Sequence, residues 1–387
     1  MRFTFTEQQQ LIQDSALDWL RDNYDFHQRA ASVHCEGGNL QVWQALADLG
    51  WLGLPLAEDI GGLAGDAISV GLVAQALGRH LVVEPYVAHV VLAMQAMDRC
   101  ATSAQRLSWL PPLVAGQQRL AWAHAEPGEV SPFDARACTA EHTGGGILIR
   151  GAKQGVRGAA GATHWLVSAT LKHNGQQLLL RVPREQEGVR IDGYRTSDGA
   201  CAADLYFDGA LVPMASVLGD GNTSTNALES VVCWGIVTAC WQATGAMQAA
   251  LEQTRRYTAE RHQFGQALAQ FQVVQHRLAE MGVLCLEAQA ACELASMRMT
   301  RIQGEGLRAV AAGARSKVAR AGTIVSQDCV QLHGAMGVCE ELPIAATFRY
   351  LLAFEVEDGS ADAHAQWLGE HAHTSQRYAI SQTLGDL

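Results

Sequence analysis

The chain has 387 residues, of which 48% are apolar and 17% charged, and its formal net charge is −11. That composition argues against disorder, and the acidic balance without a long basic run argues against nucleic acid as the main partner. The length favours two or three structural units. The N-terminus, MRFTFTEQQQ, lacks a charged-then-apolar leader, and the longest apolar run, VVCWGIVTACW (231–241), is too short to span a bilayer. No membrane association and a cytoplasmic location are therefore expected. Ten cysteines occur with no CxxC pair; Cys233 with Cys240 and Cys285 with Cys292 sit at helical core spacing. Buried free thiols are expected, not disulfides or a metal site.

In chain order, residues 1–118 read as a helical region. Thr6 and Gln9 form a capping-box pattern ahead of LIQDSALDWL. VWQALADLGWLGL, DAISVGLVAQALGRHL and PYVAHVVLAMQAM follow as further helices, with DIGGLAG (59–65) as a loop. Residues 119–222 change character. GILIRG, THWLVSA, QLLLRVP and ADLYFDG are short apolar runs broken by Gly, Pro and Asp, which predicts an antiparallel β domain. Residues 223–387 are helical again. Apolar or small residues recur at Phe271, Val274, Leu278, Met281, Cys285, Ala288, Cys292, Ala295, Met299 and Ile302, alternating steps of three and four. That spacing predicts a helix packed along its whole length. A second long helix is expected over ALESVVCWGIVTACWQATGAMQAALEQTRRYTAER. The fold class is α+β: helical bundle, β domain, four-helix bundle.

No GxGxxG follows a strand and no GxxxxGK[ST] occurs, which argues against a Rossmann domain or P-loop. AISVG (67–71) imitates a nucleophile elbow but sits in a helical stretch, so Ser69 is read as a helix residue. EHAH (370–373) places its histidines two apart, on different helix faces, and reads as a solvated tail. Three other stretches carry more. RHQFGQALAQFQ (261–272) breaks two long helices, QLHGAMG (331–337) is a Gly-punctuated turn, and EVEDGSADAH (355–364) is a carboxylate-rich turn after an apolar run.

Together, Arg261-His262-Gln263-Phe264-Gly265, Gln331-Leu332-His333-Gly334-Ala335-Met336-Gly337, and Arg349-Tyr350 followed by Asp358-Gly359-Ser360 resemble the signatures of the acyl-CoA dehydrogenase family. AEPGEVS (125–131) and IRGAKQGV (149–156) are similar to two further family motifs, in the same order. The resemblance implies FAD bound between subunits and α,β-oxidation of an acyl-CoA thioester. A carboxylate would remove the α-proton and the flavin would take hydride. It implies electron transfer to an electron-transferring flavoprotein and a homo- or hetero-oligomer, a dimer of dimers. Carried over by position, Arg261, Gln263 and Phe264 would meet a neighbouring subunit's FAD, with Arg261 on the diphosphate. Gln331, Gly334 and Gly337 would let backbone approach the adenosine half, and Ser360 would contact FAD. Ala125 and Arg157 align beside the flavin ring, and Ser131 aligns with a serine near the CoA moiety.

The departures from the family are specific. Asp358 stands where one class has Glu, and Gly235 stands where another class keeps its Glu. Arg157 replaces a Thr, Gly155 a Trp, Ala125 a Thr and Ala335 a Gly. The shorter Asp358 withdraws the carboxylate by roughly 1–1.5 Å, and about 1 Å of misplacement costs on the order of a hundredfold in rate. Asp358 is the candidate base, with a one-residue shift to Glu357 as the variant of that reading. Glu355 and Asp362 are expected to be structural or surface groups. Gly155 and Gly235 hint at room for a branched, ring-bearing or dicarboxylic acyl group. AHAEPGEV, RGAKQGVRGAAGATHWLVSA and QLHGAMGVCEELPIAATFRY further resemble the branch holding pimeloyl-CoA dehydrogenase small subunits and steroid side-chain acyl-CoA dehydrogenase subunits. Three readings follow: an active dehydrogenase, a catalytically degenerate subunit completing a partner's FAD site, and, more remotely, a flavin oxidase or monooxygenase on the same fold.

Overall fold

The structure, a computed structural model, describes residues 4–35, 37–129, 131–133, 137–219 and 225–375. Helix α1 (Glu7–Asn23) starts with the expected capping box: Thr6 Oγ1 accepts from Gln9 N, and Gln9 Oε1 accepts from Thr6 N. Helices α2 (Phe26–His34), α3 (Leu40–Asp48) and α4 (Ala67–Arg79) follow. Ser69 lies inside α4, whose first turn is capped by Asp66. The stretch expected as one regular helix is wound differently. Val87–Met94 is π-helical and leads into α5 (Gln95–Cys100), then α6 (Ser103–Val114). π-Helical segments are rare overall but frequent at functional sites, and Val87, Ala88 and Leu92 of this one line the pocket described below.

The middle region is one seven-stranded sheet of β1 (Leu120–Ala123), β2 (Thr139–Thr143), β3 (Gly146–Arg157), β4 (His164–Leu171), β5 (Gln177–Pro183), β6 (Val189–Arg195) and β7 (Cys201–Val212). It is mainly antiparallel, but β1 and β2 both run parallel to β4. Strand β3 slips register against β7 between Lys153 and Val156. The irregularity coincides with Gly155 at φ +65° and re-aims the end of the strand, which is how Gly155 and Arg157 both come to line the pocket.

The last region begins with α7 (Thr225–Glu260). A hairpin of β8 (His262–Gln263) and β9 (Gln266–Ala267) leads into α8 (Gln272–Met299). Then come α9 (Glu305–His333), α10 (Pro343–Val356) and α11 (Ala361–Ser375), so a fifth helix joins the expected four. The periodic stripe of α8 is its inner face: Val274, Met281, Cys285, Ala288, Cys292, Ala295 and Met299 are all buried. Among the described residues all ten cysteines are free, and Cys233, Cys240, Cys285 and Cys292 are buried. No helix of the described residues is long and apolar enough to cross a membrane, and they hold no metal-ligand cluster.

The two helical regions share one apolar core, in which residues of α1 to α4 pack with α7 to α10. The closest approach is α4 against α7. A Cβ on Gly78 would collide with the Gln242 carbonyl oxygen, one on Gly71 with the Trp241 indole, and one on Gly245 with the Gln75 carbonyl. Backbone blocks two of these positions and cannot yield as a flexible side chain can. Gly78→Ala is therefore expected to destabilise the protein by about 1–3 kcal/mol through overpacking. The check is the urea midpoint, and an unchanged midpoint would show that the helices separate freely.

Candidate active site

A cavity of about 150 Å³ lies where the three regions meet. The segment Leu81–Ala88 with Leu92 forms one wall. The sheet contributes Trp122, Ala125, Gly155 and Arg157, and the helices after it contribute Val232, Ala239, Tyr350, Phe354, Glu357 and Asp358. Most of this lining is apolar; Glu84 on that wall accepts from the Tyr24 hydroxyl, and Arg157, Asp198, Glu357 and Asp358 gather at one end.

That end is built on the reversal between α10 and α11. Helix α10 ends as Glu357 N donates to Ala353 O. Asp358 then takes φ +53° and Gly359 φ +93°, two successive left-handed residues that turn the chain back. Asp tolerates this conformation better than most non-glycine residues. Ser360 starts α11, its hydroxyl accepting from Ala363 N at 3.1 Å. The carbonyls of the turn are held from beneath. The Arg315 guanidinium on α9 donates to the oxygens of Phe354 and Glu357, and His364 Nε2 lies 2.9 Å from Asp358 O.

The side chains of the turn divide their roles. Glu357 is taken by Arg157, which donates to both its carboxylate oxygens and reaches Asp198 Oδ2 at 2.9 Å with Nη1. Burial opposes the charge of Arg157, but Glu357 and Asp198 outweigh it and hold the guanidinium firmly protonated. Burial likewise opposes the charge of Asp198, while Arg157, Thr196 and Ala200 N keep its carboxyl below the usual range. The Asp358 carboxylate lines the cavity and is bonded to no donor among the described residues. Burial, and then the charge of Glu357, push it up to about 6, against the pull of Arg315 and Arg157.

Three of the residues singled out in the sequence, Ala125, Arg157 and Asp358, come together on this cavity. Ser131 lies one residue before the lining residue Pro132, with its Oγ accepting from Phe133 N. Ser360 abuts the turn as a helix cap. Arg261, Gln263 and Phe264 lie elsewhere, exposed on the β8–β9 hairpin, and Phe264 is 90% exposed at φ +53°. Gln331 and Gly334 are exposed at the end of α9, while Gly337 is buried where a Cβ would press on the backbone of Val330. The hairpin and this turn are neighbours. Tyr257 stacks on His333 at 4.3 Å, and Arg261 N donates to Tyr257 O.

Of the two glycines read as room, Gly155 has nothing near the place of a Cβ, and it faces the cavity. Gly235 is different, because Leu92 already fills the space beside it. That position offers neither a second base nor extra volume. Glu355 serves structure by accepting from Ala361 N, and Asp362 pairs with Arg320 on the surface. His371 pairs with Glu305. Sequence reasoning missed Asp198, Arg315 and Glu126. Glu126, within the AEPGEV motif, forms a fully buried pair with Lys153 Nζ at 2.6 Å and ties the segment after β1, which carries Ala125, to β3. The signal for that pair was present, as a carboxylate and a lysine inside two motifs singled out in the middle region.

The electrostatics of Asp358 have a stability consequence. A carboxyl raised in the fold stabilises it fully below its unfolded value near 4, and that contribution is lost as pH rises through about 6. Asp358→Asn is therefore expected to melt higher than the unaltered chain at pH 7.5, with the gap closing at pH 4.5. A lower melting temperature at both pH values would mean that the carboxylate supports the fold.

Two family models match the chain: the acyl-CoA dehydrogenase N-terminal domain over residues 6–117 and the acyl-CoA dehydrogenase C-terminal domain over residues 229–373. The chain is 26% identical to a probable acyl-CoA dehydrogenase, YngJ, of Bacillus subtilis, covering 94% of this chain and 97% of that one. It is 25% identical to the human mitochondrial short-chain specific acyl-CoA dehydrogenase, over 86% of this chain and 82% of that one. Among solved structures, a variant of the Tcur3481-Tcur3483 steroid ACAD superposes with a TM-score of 0.85 at 28% identity, covering 94% and 97% of the two chains. The ChsE4-ChsE5 complex from Mycobacterium tuberculosis superposes with a TM-score of 0.88 at 24% identity, covering 96% and 99%, which shows the shared fold. With both family models matched and the expected architecture in place, the chain belongs to the acyl-CoA dehydrogenase family, flavin-dependent oxidoreductases that use FAD.

Proposed function

We propose that the protein dehydrogenates the Cα–Cβ bond of an acyl-CoA thioester, with Asp358 as the base. The observation that carries this reading is the Asp358 carboxylate itself: it lines the cavity, has no donor on it among the described residues, and its backbone is pinned. A base should be deprotonated at working pH yet retain affinity for a proton, and a value near 6 meets both demands. Glu357 fits less well, because Arg157 occupies both its oxygens.

The residues present fit FAD. Arg261 is an exposed cation with no carboxylate partner among the described residues, beside a turn whose Gly334 adopts φ +61°. Such a pairing of permanent charge and open backbone suits a diphosphate. On the cavity, Ala125 and Gly155 present flat, small surfaces on which a planar ring can lie. When bound, FAD supplies the acceptor for the β-hydrogen and its electron pair. The protein's part is to bring the α-carbon to Asp358, move the α-proton onto that carboxylate and keep water out with the Leu81–Ala88 and Leu92 wall. Electrons would leave to an electron-transferring flavoprotein.

The hairpin and the α9 turn do not line the cavity of their own chain. Their placement away from it supports the reading of FAD between subunits. Helix α8 carries Val283, Leu286 and Leu294 exposed on the side opposite its buried stripe, an apolar surface of the kind that oligomers cover. The acyl group would be uncharged. The cavity cations Arg157 and Arg29 are committed to Glu357, Asp198 and the Leu81 carbonyl, so a second substrate carboxylate would find no free partner. The alternative, a degenerate subunit completing a partner's FAD site, is favoured by the pairing that the names Tcur3481-Tcur3483 and ChsE4-ChsE5 express for those relatives.

The test is purification alone followed by anaerobic addition of straight-chain, branched, ring-bearing and dicarboxylic acyl-CoA thioesters. A yellow protein bleached by an uncharged thioester, with Asp358→Asn retaining flavin but unbleached, is expected. The bleaching rate should rise with pH through about 6, as the base loses its proton. A variant that turns over normally would end the Asp358 reading. A colourless protein rescued by a partner would favour the alternative. Arg261→Ala is expected to cut bound flavin at least tenfold, read from absorbance, without changing the melting temperature of the apoprotein. Retained flavin would remove Arg261 from the site.

A further inference from the structure

We propose that Arg315 is a positioning residue for the reaction: it fixes the backbone of the Asp358 turn and supplies the buried positive charge that the ionised Asp358 faces. The inference rests on the reading of Asp358 as the base.

Arg315 projects from α9 into the core and is 1% exposed. A guanidinium cannot shed its charge, so burying one is costly unless opposite charge or dipoles surround it. No carboxylate bonds to it among the described residues. Its partners are the carbonyl oxygens of Phe354 and Glu357, at the C-terminal end of α10, and the Phe354 ring, 3.6 Å from the guanidinium carbon. The carbonyl end of a helix is where a cation is stabilised, and an aromatic face adds to it. These are dipoles and carry no opposite full charge; Arg315 Nε is buried with no acceptor among the described residues. The residue thus grips the last turn of α10 immediately before Asp358, and its charge acts on that carboxylate, which has no donor among the described residues.

The groups around Asp358 make this assignment specific. From its own turn comes Glu357, which disfavours the ionised form. From β3 comes Arg157, already divided between Glu357 and Asp198. Helix α11 contributes His364, kept neutral by burial and turned to the Asp358 carbonyl. Helix α7 contributes the Cys240 thiol, which burial pushes up to about 12 and so keeps uncharged. Helix α10 contributes Tyr350, whose hydroxyl burial also keeps un-ionised. Arg315 is the cation of this set that no side-chain carboxylate has claimed.

The test compares Arg315→Gln, which keeps hydrogen-bond donors without charge, with Arg315→Lys, which keeps charge without the fork. Both are examined as flavin-loaded protein with the thioester that bleaches the unaltered enzyme, and the rate of flavin reduction is followed against pH. Arg315→Gln is expected to move the acid limb upward by roughly one pH unit or more, as loss of a nearby opposite charge does. The thioester dissociation constant should stay within about threefold. Arg315→Lys should keep the limb while lowering the maximal rate, because the turn is held by fewer bonds. Coincident limbs for Arg315→Gln and the unaltered protein, or an equal shift in Arg315→Lys, would overturn the inference. Should Arg315→Gln fail to fold, Arg315→Lys decides: an unmoved limb with a lowered rate supports the role, and a moved limb rejects it. Asp358→Asn separates the two levels. If it is silent while the Arg315→Gln limb is unmoved, Arg315 alone is wrong; if it turns over, the base assignment is wrong.

Discussion

The constraint on which the site depends is a carboxylate kept without a partner inside a folded protein. Burial disfavours its charge, and any donor placed on it would spoil it as a base. The chain resolves the conflict by separating the functions of two adjacent residues. Glu357 takes the salt bridge that ties the turn to the sheet, and Asp358 is left to the cavity. The left-handed backbone at Asp358 and Gly359 sends the two side chains different ways, and the carbonyls on either side are held by Arg315 and His364. The cost of the arrangement is borne by the shared core of the two helical regions, which is large enough to hold a strained turn in place.

Much of the architecture was legible because its elements have strong periods. The three-four repeat became the buried face of α8 from Val274 to Met299, while its ends, Phe271 and Ile302, fall outside the helix, and the capping box at Thr6 became the start of α1. Features set by packing between distant segments were not legible. The π-helical winding of Val87–Met94 has no period that separates it from an ordinary helix, and the parallel pairing of β1 and β2 with β4 depends on crossovers that local pattern does not encode. Gly235 shows the same limit. A glycine in place of a larger family residue reads as space, yet Leu92, more than a hundred residues earlier in the chain, fills it.

For the candidate site, sequence motifs pointed to a turn that the fold places on the cavity, but not to its supports. Asp358 was identified from its place before Gly359-Ser360. Asp198 and Arg315 lie outside every motif and acquire roles only when the chain is folded around them. The signature residues proposed to meet FAD behave oppositely. They are easy to find in sequence, yet the single chain leaves them exposed and away from its own cavity. Motif residues that look idle in one subunit are what a site shared between two copies would produce.

The most direct measurement is exchange of the α-hydrogen of an acyl-CoA thioester with solvent deuterium, followed by proton NMR under anaerobic conditions. It reads the proton-transfer step without requiring net oxidation. The account predicts loss of the α-proton signal at a rate that climbs as pH rises through about 6, and no exchange above background with Asp358→Asn. Exchange at an undiminished rate in Asp358→Asn would contradict it and return the turn to a purely structural role.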